Sequence, residues 1–330
     1  MGYNHIRESI AQYFSKDGIE FKMEDVLIGS GCSHALDMVF ATLFDEGSNV
    51  LIPKPGFSLY QTLSQYHNIE YKYYDLIPQK NWEINLEQLE KLIDDNTRAI
   101  LINNPSNPCG SNFSKEHLLE ILEIAKRKKI PIISDEIYAD MVFEGKFHSI
   151  ASLSNEVPIL ICGGMAKKFM IPGWRLGWIL VHDPKKLLGE VREGLRRVST
   201  TILGPSSLIQ SVVGDILEKT EPSYFEKNLN FLHENAKIAK EKLSSVDGLL
   251  LITPQAAMYM MIGIDINKFQ GFSDDIEFSQ LLLTEECVSI LPGKCFNYEN
   301  YFRIVLCVER KDFEESMQRI ISFCQRHYKK

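Results

Sequence analysis

The sequence lacks the features that would assign it to a membrane or an extracellular class. No apolar run in its 330 residues approaches the roughly 18 residues that span a bilayer, and its start lacks the apolar stretch of a signal peptide. The 7 cysteines are an odd number with no C-x-x-C pair, a pattern more typical of free thiols than of disulfides or a zinc site. We therefore expect a cytoplasmic protein without a membrane partner or a metal centre.

The sequence also lacks a broad positive charge. Lys and Arg number 36 against 44 Asp and Glu, for a net charge of -8, and one short basic run stands at residues 126–129. This balance disfavours nucleic-acid binding. With 45% hydrophobic and 24% charged residues, the chain has a globular composition, and its length indicates about two domains.

Two patterns of secondary structure divide the chain. Residues 25–182 alternate β-branched and amphipathic segments, which predicts an α/β fold: a mostly parallel sheet with helices on both faces. Residues 206–243 have a helical pattern with a break near Glu221-Pro222. The strands and helices predicted after them indicate a smaller C-terminal α+β domain. We expect a helix in 1–20, a large domain in 21–245 that includes a long interdomain helix, and the small domain in 246–330. Strands are predicted at 26–28, 49–52, 71–74, 99–102, 131–134, 159–162, 177–182, 249–253, 257–263, 288–291 and 302–308, and further helices at 33–43, 58–66, 86–93, 115–127, 276–285 and 312–327.

A glycine turn follows the first predicted strand. The string GSGCSH (29–34) has His34 where the dinucleotide fingerprint G-x-G-x-x-G has its third glycine, so it is a weak signature of nicotinamide binding. A glycine turn before a helix still directs backbone N–H groups at an anion. The alternative is an ordinary strand-to-helix turn with Ser33 as the N-cap.

Three charged residues follow other predicted strands. Asp135 follows the apolar strand predicted at 131–134. The next predicted strand, 159–162, is followed by two glycines and then by Lys167, and Arg175 comes eight residues after Lys167. Taken singly, Asp135 is as typical of a helix cap, and a loop lysine is usually solvated. Ligands bind at the carboxyl ends of such strands, however. A carboxylate, an amine, a cation and an anion-binding turn together fit pyridoxal 5'-phosphate, whose ring nitrogen, aldehyde and phosphate need these partners.

Three further residues are candidates at the same edge of the sheet, and a fourth, Arg303, lies in the predicted small domain. Asn107 begins the second of two Asn-Pro steps, which taken alone are typical of tight turns. Both Asn107 and Tyr138 could also donate a hydrogen bond to the phenolic oxygen of the cofactor. Phe57 follows a rigid turn and is as typical of a core position as of ring stacking. Arg303 lies among strand hydrophobes, where it could bind a carboxylate or pair with a local residue such as Glu309.

These motifs resemble the class I pyridoxal-phosphate aminotransferases of fold type I. The resemblance runs from about residue 5 to the last helix, and the string from Lys167 to Arg175 is its most specific part. The matching strings are GSGCSHALD (29–37), PKPGFSLYQTL (53–63), NNPSNPCG (103–110), SDEIYADMVF (134–143), CGGMAKKFMIPGWRLGWILVHD (162–183) and YFRIV (301–305).

The resemblance implies a role for each candidate. Lys167, rather than Lys168, would bond the cofactor, because the family places its phosphate-binding arginine eight positions later. Lys167 would also serve as the catalytic base at the substrate's α-carbon. The other implied roles are Asp135 on the ring nitrogen, Tyr138 and Asn107 on the phenolic oxygen, Phe57 on the ring face, Gly31, Cys32, Ser33 and Arg175 around the phosphate, and Arg303 with Asn107 on the substrate.

The resemblance further implies a reaction. We expect a cytoplasmic homodimer that transfers the amino group of L-tyrosine to 2-oxoglutarate, giving 4-hydroxyphenylpyruvate and L-glutamate. The alternatives are another class I aminotransferase or a β-lyase. Gly164 departs from the serine that many relatives carry there, and relatives extend further at the N-terminus. A chain without that segment leaves a third alternative, a non-catalytic protein that binds the cofactor or pairs with a longer relative.

Overall fold

A large mixed sheet and a small antiparallel sheet organise the protein. The computed structural model describes residues 1–329, which form an eight-stranded and a four-stranded sheet. The strands are β1 Val26–Gly29, β2 Asn49–Lys54, β3 Glu70–Ile77, β4 Glu83–Ile84, β5 Thr97–Asn103, β6 Ile132–Asp135, β7 Ile159–Gly164, β8 Gly177–His182, β9 Leu249–Leu251, β10 Tyr259–Ile264, β11 Leu291–Pro292 and β12 Tyr301–Val305. The helices are α1 Asn4–Phe14, α2 Cys32–Leu43, α3 Leu59–Tyr66, α4 Leu86–Leu92, α5 Lys115–Lys128, α6 Gly189–Val198, α7 Ser207–Lys219, α8 Pro222–Leu243, α9 Asp275–Glu286 and α10 Arg310–His327.

The large sheet has the strand order β1-β8-β7-β6-β5-β2-β3-β4. Its centre, from β3 to β7, is parallel, whereas β8 runs antiparallel to both β7 and β1. In β5, Ile100 and Ile102 belong to one hydrophobic cluster and Ala99 and Leu101 to another. Because successive side chains point to opposite faces, the sheet is covered on both sides. The predicted fold class is therefore confirmed.

Helix boundaries follow local chemistry. The Ser114 side chain accepts a hydrogen bond from the backbone N–H of His117 at the start of α5, as an N-cap does. Pro222 is the first residue of α8, where the missing N–H of proline is not needed, so the predicted break near Glu221-Pro222 is confirmed. Helix α6 was not predicted, since Leu195 is its one buried residue and its other positions give little apolar periodicity.

The small sheet has the order β11-β12-β10-β9 and is antiparallel throughout. The predicted strand at 288–291 is wrong for most of its length. Cys287 ends α9 with a left-handed backbone, and the chain pairs with β12 only from Leu291. The apolar residues before it, such as Val288, pack into the core of the small sheet from irregular backbone instead.

Helix length and hydropathy test whether any helix of the chain could cross a membrane. Within residues 1–329, no helix is both long enough and apolar enough to cross a bilayer.

Candidate functional site

A cavity of about 300 Å³ opens at the carboxyl ends of β5, β6 and β7. Asn103 and Asp135, the last residues of β5 and β6, pair in register, so their side chains reach the same edge of the sheet. Nine of the ten predicted site residues line this cavity. The tenth, Gly31, lies against the Arg175 guanidinium. The nine are Cys32, Ser33, Phe57, Asn107, Asp135, Tyr138, Lys167, Arg175 and Arg303.

Asp135 is the buried carboxylate of the cavity, and 3% of its surface is exposed. The Tyr60 hydroxyl donates to one carboxylate oxygen at 2.8 Å, and the Ile137 N–H donates to the other at 3.2 Å. The Cys32 thiol lies 3.6 Å from that second oxygen. Burial raises the pKa of Asp135, and these three donors oppose the rise. The site thus holds a carboxylate whose charge depends on its hydrogen-bond donors.

The two adjacent lysines have different surroundings. Lys168 Nζ lies 2.7 Å from an Asp140 oxygen and 2.8 Å from the Tyr13 hydroxyl. Burial alone would lower the pKa of Lys168, but the Asp140 carboxylate outweighs burial and the pKa is raised. Lys167 lines the cavity, with its Nζ 5.6 Å from the centroid of the Tyr138 ring. Lys168 is therefore held by a local ion pair, whereas the Lys167 amine faces the cavity.

Lys167 and Arg175 belong to one hairpin loop. Strands β7 and β8 are antiparallel up to the pair Gly164 and Gly177, and the Met165 N–H closes the base of the loop on the Leu176 carbonyl at 3.0 Å. Residues 165–176 therefore form one loop, closed at its base, that carries both the amine and the guanidinium.

The glycine turn before α2 meets Arg175. Gly31 has a φ of 84° and is the N-cap of α2, and a Cβ on it would lie 2.4 Å from Nη2 of Arg175. The alternative with Ser33 as N-cap is wrong, since the helix begins at Cys32 and no side chain caps it. The first N–H groups of a helix have no intrahelical acceptor. Together with the adjacent guanidinium they form an anion cradle.

Arg303 projects into the cavity from the small sheet. Its Nη1 donates to Asn107 Oδ1 at 2.7 Å, and its Cζ lies 4.1 Å from the centroid of the Tyr259 ring and 4.8 Å from that of Phe296. Among residues 1–329 its buried Nε has no hydrogen-bond acceptor. The predicted alternative, an ion pair with Glu309, is wrong, because Glu309 is the residue preceding α10 and makes no ion pair with Arg303. Among the described residues, no acidic side chain neutralises the charge of this guanidinium.

The remaining predicted residues also meet here. The Tyr138 hydroxyl donates to the Tyr259 hydroxyl at 3.1 Å. Asn107 is buried beside Arg303. Phe57 lines the cavity and makes an edge-to-face contact with Tyr60, with ring centroids 5.9 Å apart. The structure therefore brings all of the predicted residues to one place, while their individual roles remain proposals.

Three aromatic residues of the site were missed from the sequence. Tyr60 follows Phe57 by three residues at the start of α3, a spacing that places both on one side of a helical turn. That spacing could have indicated Tyr60. Tyr259 and Phe296 come from the small sheet and the loop before β12, and the register that brings them to Arg303 depends on strand pairing that local sequence does not specify.

Comparison with known proteins identifies the family. The sequence profile of the aminotransferase class I and II family matches residues 1–320. The chain belongs to the class I and II aminotransferases. Tyrosine aminotransferase of Mus musculus is 46% identical over 330 residues, which cover 99% of this chain and 73% of that protein. The solved structure of tyrosine aminotransferase from Leishmania infantum has a TM-score of 0.97 at 36% identity, covering 99% of this chain and 82% of the other. Alanine aminotransferase from Pyrococcus furiosus has a TM-score of 0.95 at 30% identity, covering 99% and 83%.

Aminotransferases of this family are pyridoxal 5'-phosphate enzymes that act on amino acids and 2-oxo acids. The predicted family and cofactor are therefore confirmed. The residues of this aminotransferase fit that cofactor, since the cradle of Gly31 and Arg175 leaves no room for a Cβ and suits a phosphate. A buried carboxylate and an amine line the same cavity, as the ring nitrogen and the aldehyde require.

Proposed function

We propose that this aminotransferase transfers the amino group of L-tyrosine to 2-oxoglutarate, giving 4-hydroxyphenylpyruvate and L-glutamate. The observation that carries the proposal is the convergence of Lys167, Asp135, Arg175 and Arg303 on one cavity. The choice of tyrosine as the substrate is supported by the similarity to tyrosine aminotransferases of Mus musculus and Leishmania infantum, which match nearly the whole chain.

Several of the predicted residues would hold the cofactor. Arg175 and the N–H groups at the start of α2 would bind its phosphate. Asp135 would accept a hydrogen bond from the protonated ring nitrogen, and Phe57 would cover the ring. When bound, pyridoxal 5'-phosphate supplies an electrophilic carbonyl carbon and a ring that withdraws electrons from the substrate's α-carbon.

Lys167 would be the base of the reaction. Its amine reaches the cavity from the hairpin loop, and its neighbour Lys168 is occupied by Asp140. Lys167 Nζ would take the proton from the α-carbon of the bound amino acid and would deliver it to the C4' carbon of the cofactor. Asp135 keeps the proton on the ring nitrogen only while its own carboxyl is ionised, so its donors, Tyr60 foremost, support the reaction.

Arg303 and the apolar wall of the cavity would orient the substrate. The guanidinium binds the α-carboxylate in a bidentate pair, which fixes the α-carbon for proton removal. Leu36, Leu59, Ile137 and Pro172 also line the cavity, and they offer apolar contact to an aromatic side chain.

We further propose a cytoplasmic homodimer. Four apolar side chains on α7 and the loop before it, Ile202, Leu203, Leu208 and Val212, are 53%, 74%, 72% and 36% exposed. We call these four residues the 202–212 patch. Such a patch favours contact with a second copy. The seven cysteines are free thiols in the structure, which is consistent with a reducing compartment.

Relative rates with several amino donors test the proposed substrate. The purified chain, supplied with pyridoxal phosphate and 2-oxoglutarate, should turn over tyrosine and phenylalanine with kcat/KM values well above that for alanine. A cysteine conjugate should not release pyruvate, as a β-lyase would. Alanine as the best donor, or pyruvate release as the dominant reaction, would contradict the proposal.

Borohydride trapping tests the role of Lys167. Reduction of the cofactor-loaded protein should leave the cofactor mass on the peptide containing Lys167, and Lys167→Ala should lose this label together with turnover, by about a thousandfold or more. Lys168→Ala is the matched control, since it breaks the ion pair with Asp140 and retains the label. A label on Lys168 in the wild-type protein would remove Lys167 from its proposed role.

A further inference from the structure

Tyr259 connects the two sheets within the site. It lies on β10 with 7% of its surface exposed. Its hydroxyl is 3.1 Å from that of Tyr138, which follows β6 of the large sheet. Its ring lies against Arg303 of the small sheet, with Cζ 4.1 Å from the ring centroid. One side chain therefore contacts both a residue of the proposed cofactor site and the residue of the proposed substrate site.

We propose that Tyr259 is a positioning residue with two separable actions, one through its hydroxyl and one through its ring. The hydroxyl donates to the Tyr138 oxygen, which frees the Tyr138 proton for an acceptor in the cavity. The ring holds the Arg303 guanidinium in the plane that receives a substrate carboxylate. This inference rests on the roles given to Tyr138 and Arg303 in the proposed function.

The action of the Tyr259 hydroxyl follows from the single proton that the Tyr138 phenol can donate. A phenol carries one proton and can donate one hydrogen bond, and here Tyr138 directs that proton to Tyr259. Burial, with the neighbouring Tyr259 hydroxyl, raises the pKa of Tyr138, so it remains a protonated donor. When Tyr138 turns its proton toward a ligand, its oxygen becomes an acceptor for Tyr259. Two hydrogen bonds in series strengthen each other, so Tyr138 becomes a better donor.

The ring action follows from strand register. In the antiparallel pair of β10 and β12, Tyr259 is opposite Val305 and Met261 is opposite Arg303. Tyr259 and Arg303 are thus diagonal neighbours on one face of the sheet, within reach of an aromatic side chain.

The opposite ring, Phe296, lies 4.8 Å from the same Cζ atom, and the Nη1 bond to Asn107 fixes one edge of the guanidinium. Among residues 1–329 Arg303 forms no ion pair, and its Nε has no acceptor. Aromatic contacts therefore set the plane of the guanidinium without neutralising its charge.

Tyr259→Phe tests the hydroxyl action in the cofactor-loaded protein. The variant keeps the ring, so the dissociation constant of 3-phenylpropanoate, an unreactive carboxylate, should change less than about twofold by calorimetry. The pH midpoint of the absorption band of the bound cofactor should rise by about 0.5 unit, because a weaker donor stabilises the cofactor's oxygen anion less. Turnover should fall mainly through kcat. An unchanged midpoint overturns the hydroxyl action.

A double variant separates positioning from packing. If Tyr259 acts through Tyr138, adding Tyr259→Phe to Tyr138→Phe should produce no further rise in the midpoint, and additive shifts overturn the proposal. Tyr74→Phe is the matched control. It removes another buried phenol, which donates to the Leu101 carbonyl at 2.7 Å, and should leave both the midpoint and the ligand affinity unchanged.

Tyr259→Met tests the ring action. Loss of the aromatic face should weaken 3-phenylpropanoate binding about tenfold, and wild-type affinity would overturn this part. The Phe variant and the double variant decide the hydroxyl action even if the Met variant does not fold. Failure of the proposed function is distinguishable, since it would appear in the wild-type chain as the absence of a cofactor band or of turnover.

Discussion

At the scale of single residues, the charge on Asp135 depends on its neighbours. Burial raises the pKa of this carboxyl, and the Tyr60 hydroxyl opposes the rise from 2.8 Å. A group that stabilises the ionised form lowers a carboxyl pKa, so losing that group raises it. Tyr60 therefore extends to lower pH the range over which Asp135 is ionised, and under the proposed function also the range over which Asp135 would hold a proton on the cofactor.

Replacing Tyr60 should change the pH dependence of turnover. In Tyr60→Phe the pKa of Asp135 rises further, so the acid limb of kcat/KM should move to higher pH by about one unit. The plateau at high pH should fall less than the activity near the acid limb. A pH profile of kcat/KM measures the shift, with Tyr74→Phe as the control, and an acid limb at the wild-type position would contradict the prediction.

The residues of the candidate site could be predicted from the sequence where a short motif marks them. The motifs around Asp135, Lys167, Arg175 and Arg303 carry charged groups within apolar segments, and the structure brings them together. Their roles in the reaction stay predictions. Tyr259 was missed, because an apolar strand with one tyrosine has the pattern of an ordinary core strand.

At the scale of secondary-structure elements, the turn into α2 depends on the missing side chain of Gly31. Its φ of 84° favours glycine, and a Cβ there would lie 2.4 Å from Arg175 Nη2. Since Nη2 is the far end of a flexible side chain, a Cβ would displace the guanidinium rather than the helix.

Gly31→Ala should therefore weaken cofactor binding more than folding. The dissociation constant of pyridoxal phosphate, measured by absorption titration, should rise about tenfold or more with the loss of an arginine–phosphate contact. Gly47→Ala is the matched control, because Gly47 has a φ of 83° and nothing within 4 Å of its Cβ position. Equal loss of binding in both variants would assign the effect to backbone strain.

The type and order of the large elements were predictable, and the weak ones were not. The parallel strands β2, β5, β6 and β7 are short apolar segments, rich in β-branched residues and almost completely buried, so their composition alone predicts them. Helix α6 and strand β11 depend on tertiary contacts, since one buries a single side chain and the other is two residues long. The domain boundaries after residues 20 and 245 stay predictions.

At the scale of the whole molecule, the 202–212 patch should decide the oligomeric state. An aspartate at Leu208 would be buried in the dimer without a partner, so Leu208→Asp should weaken dimerisation by about a hundredfold or more. Sedimentation velocity measures the change, and Leu119→Asp on α5, where the leucine is 41% exposed, is the control. A monomeric wild-type chain, or a Leu208→Asp variant that remains dimeric, would contradict the proposed interface.

The hairpin loop of residues 165–176 has a consequence for how this scaffold tolerates change in length. Its base is closed between Gly164 and Gly177, with Lys167 near one end and Arg175 near the other. Under the proposed roles of Lys167 and Arg175, an extra residue between them would change the separation of the amine and the guanidinium, whereas one at the exposed Gly145 turn would not. Engineering of this scaffold should therefore tolerate an insertion at Gly145 better than one between Lys167 and Arg175.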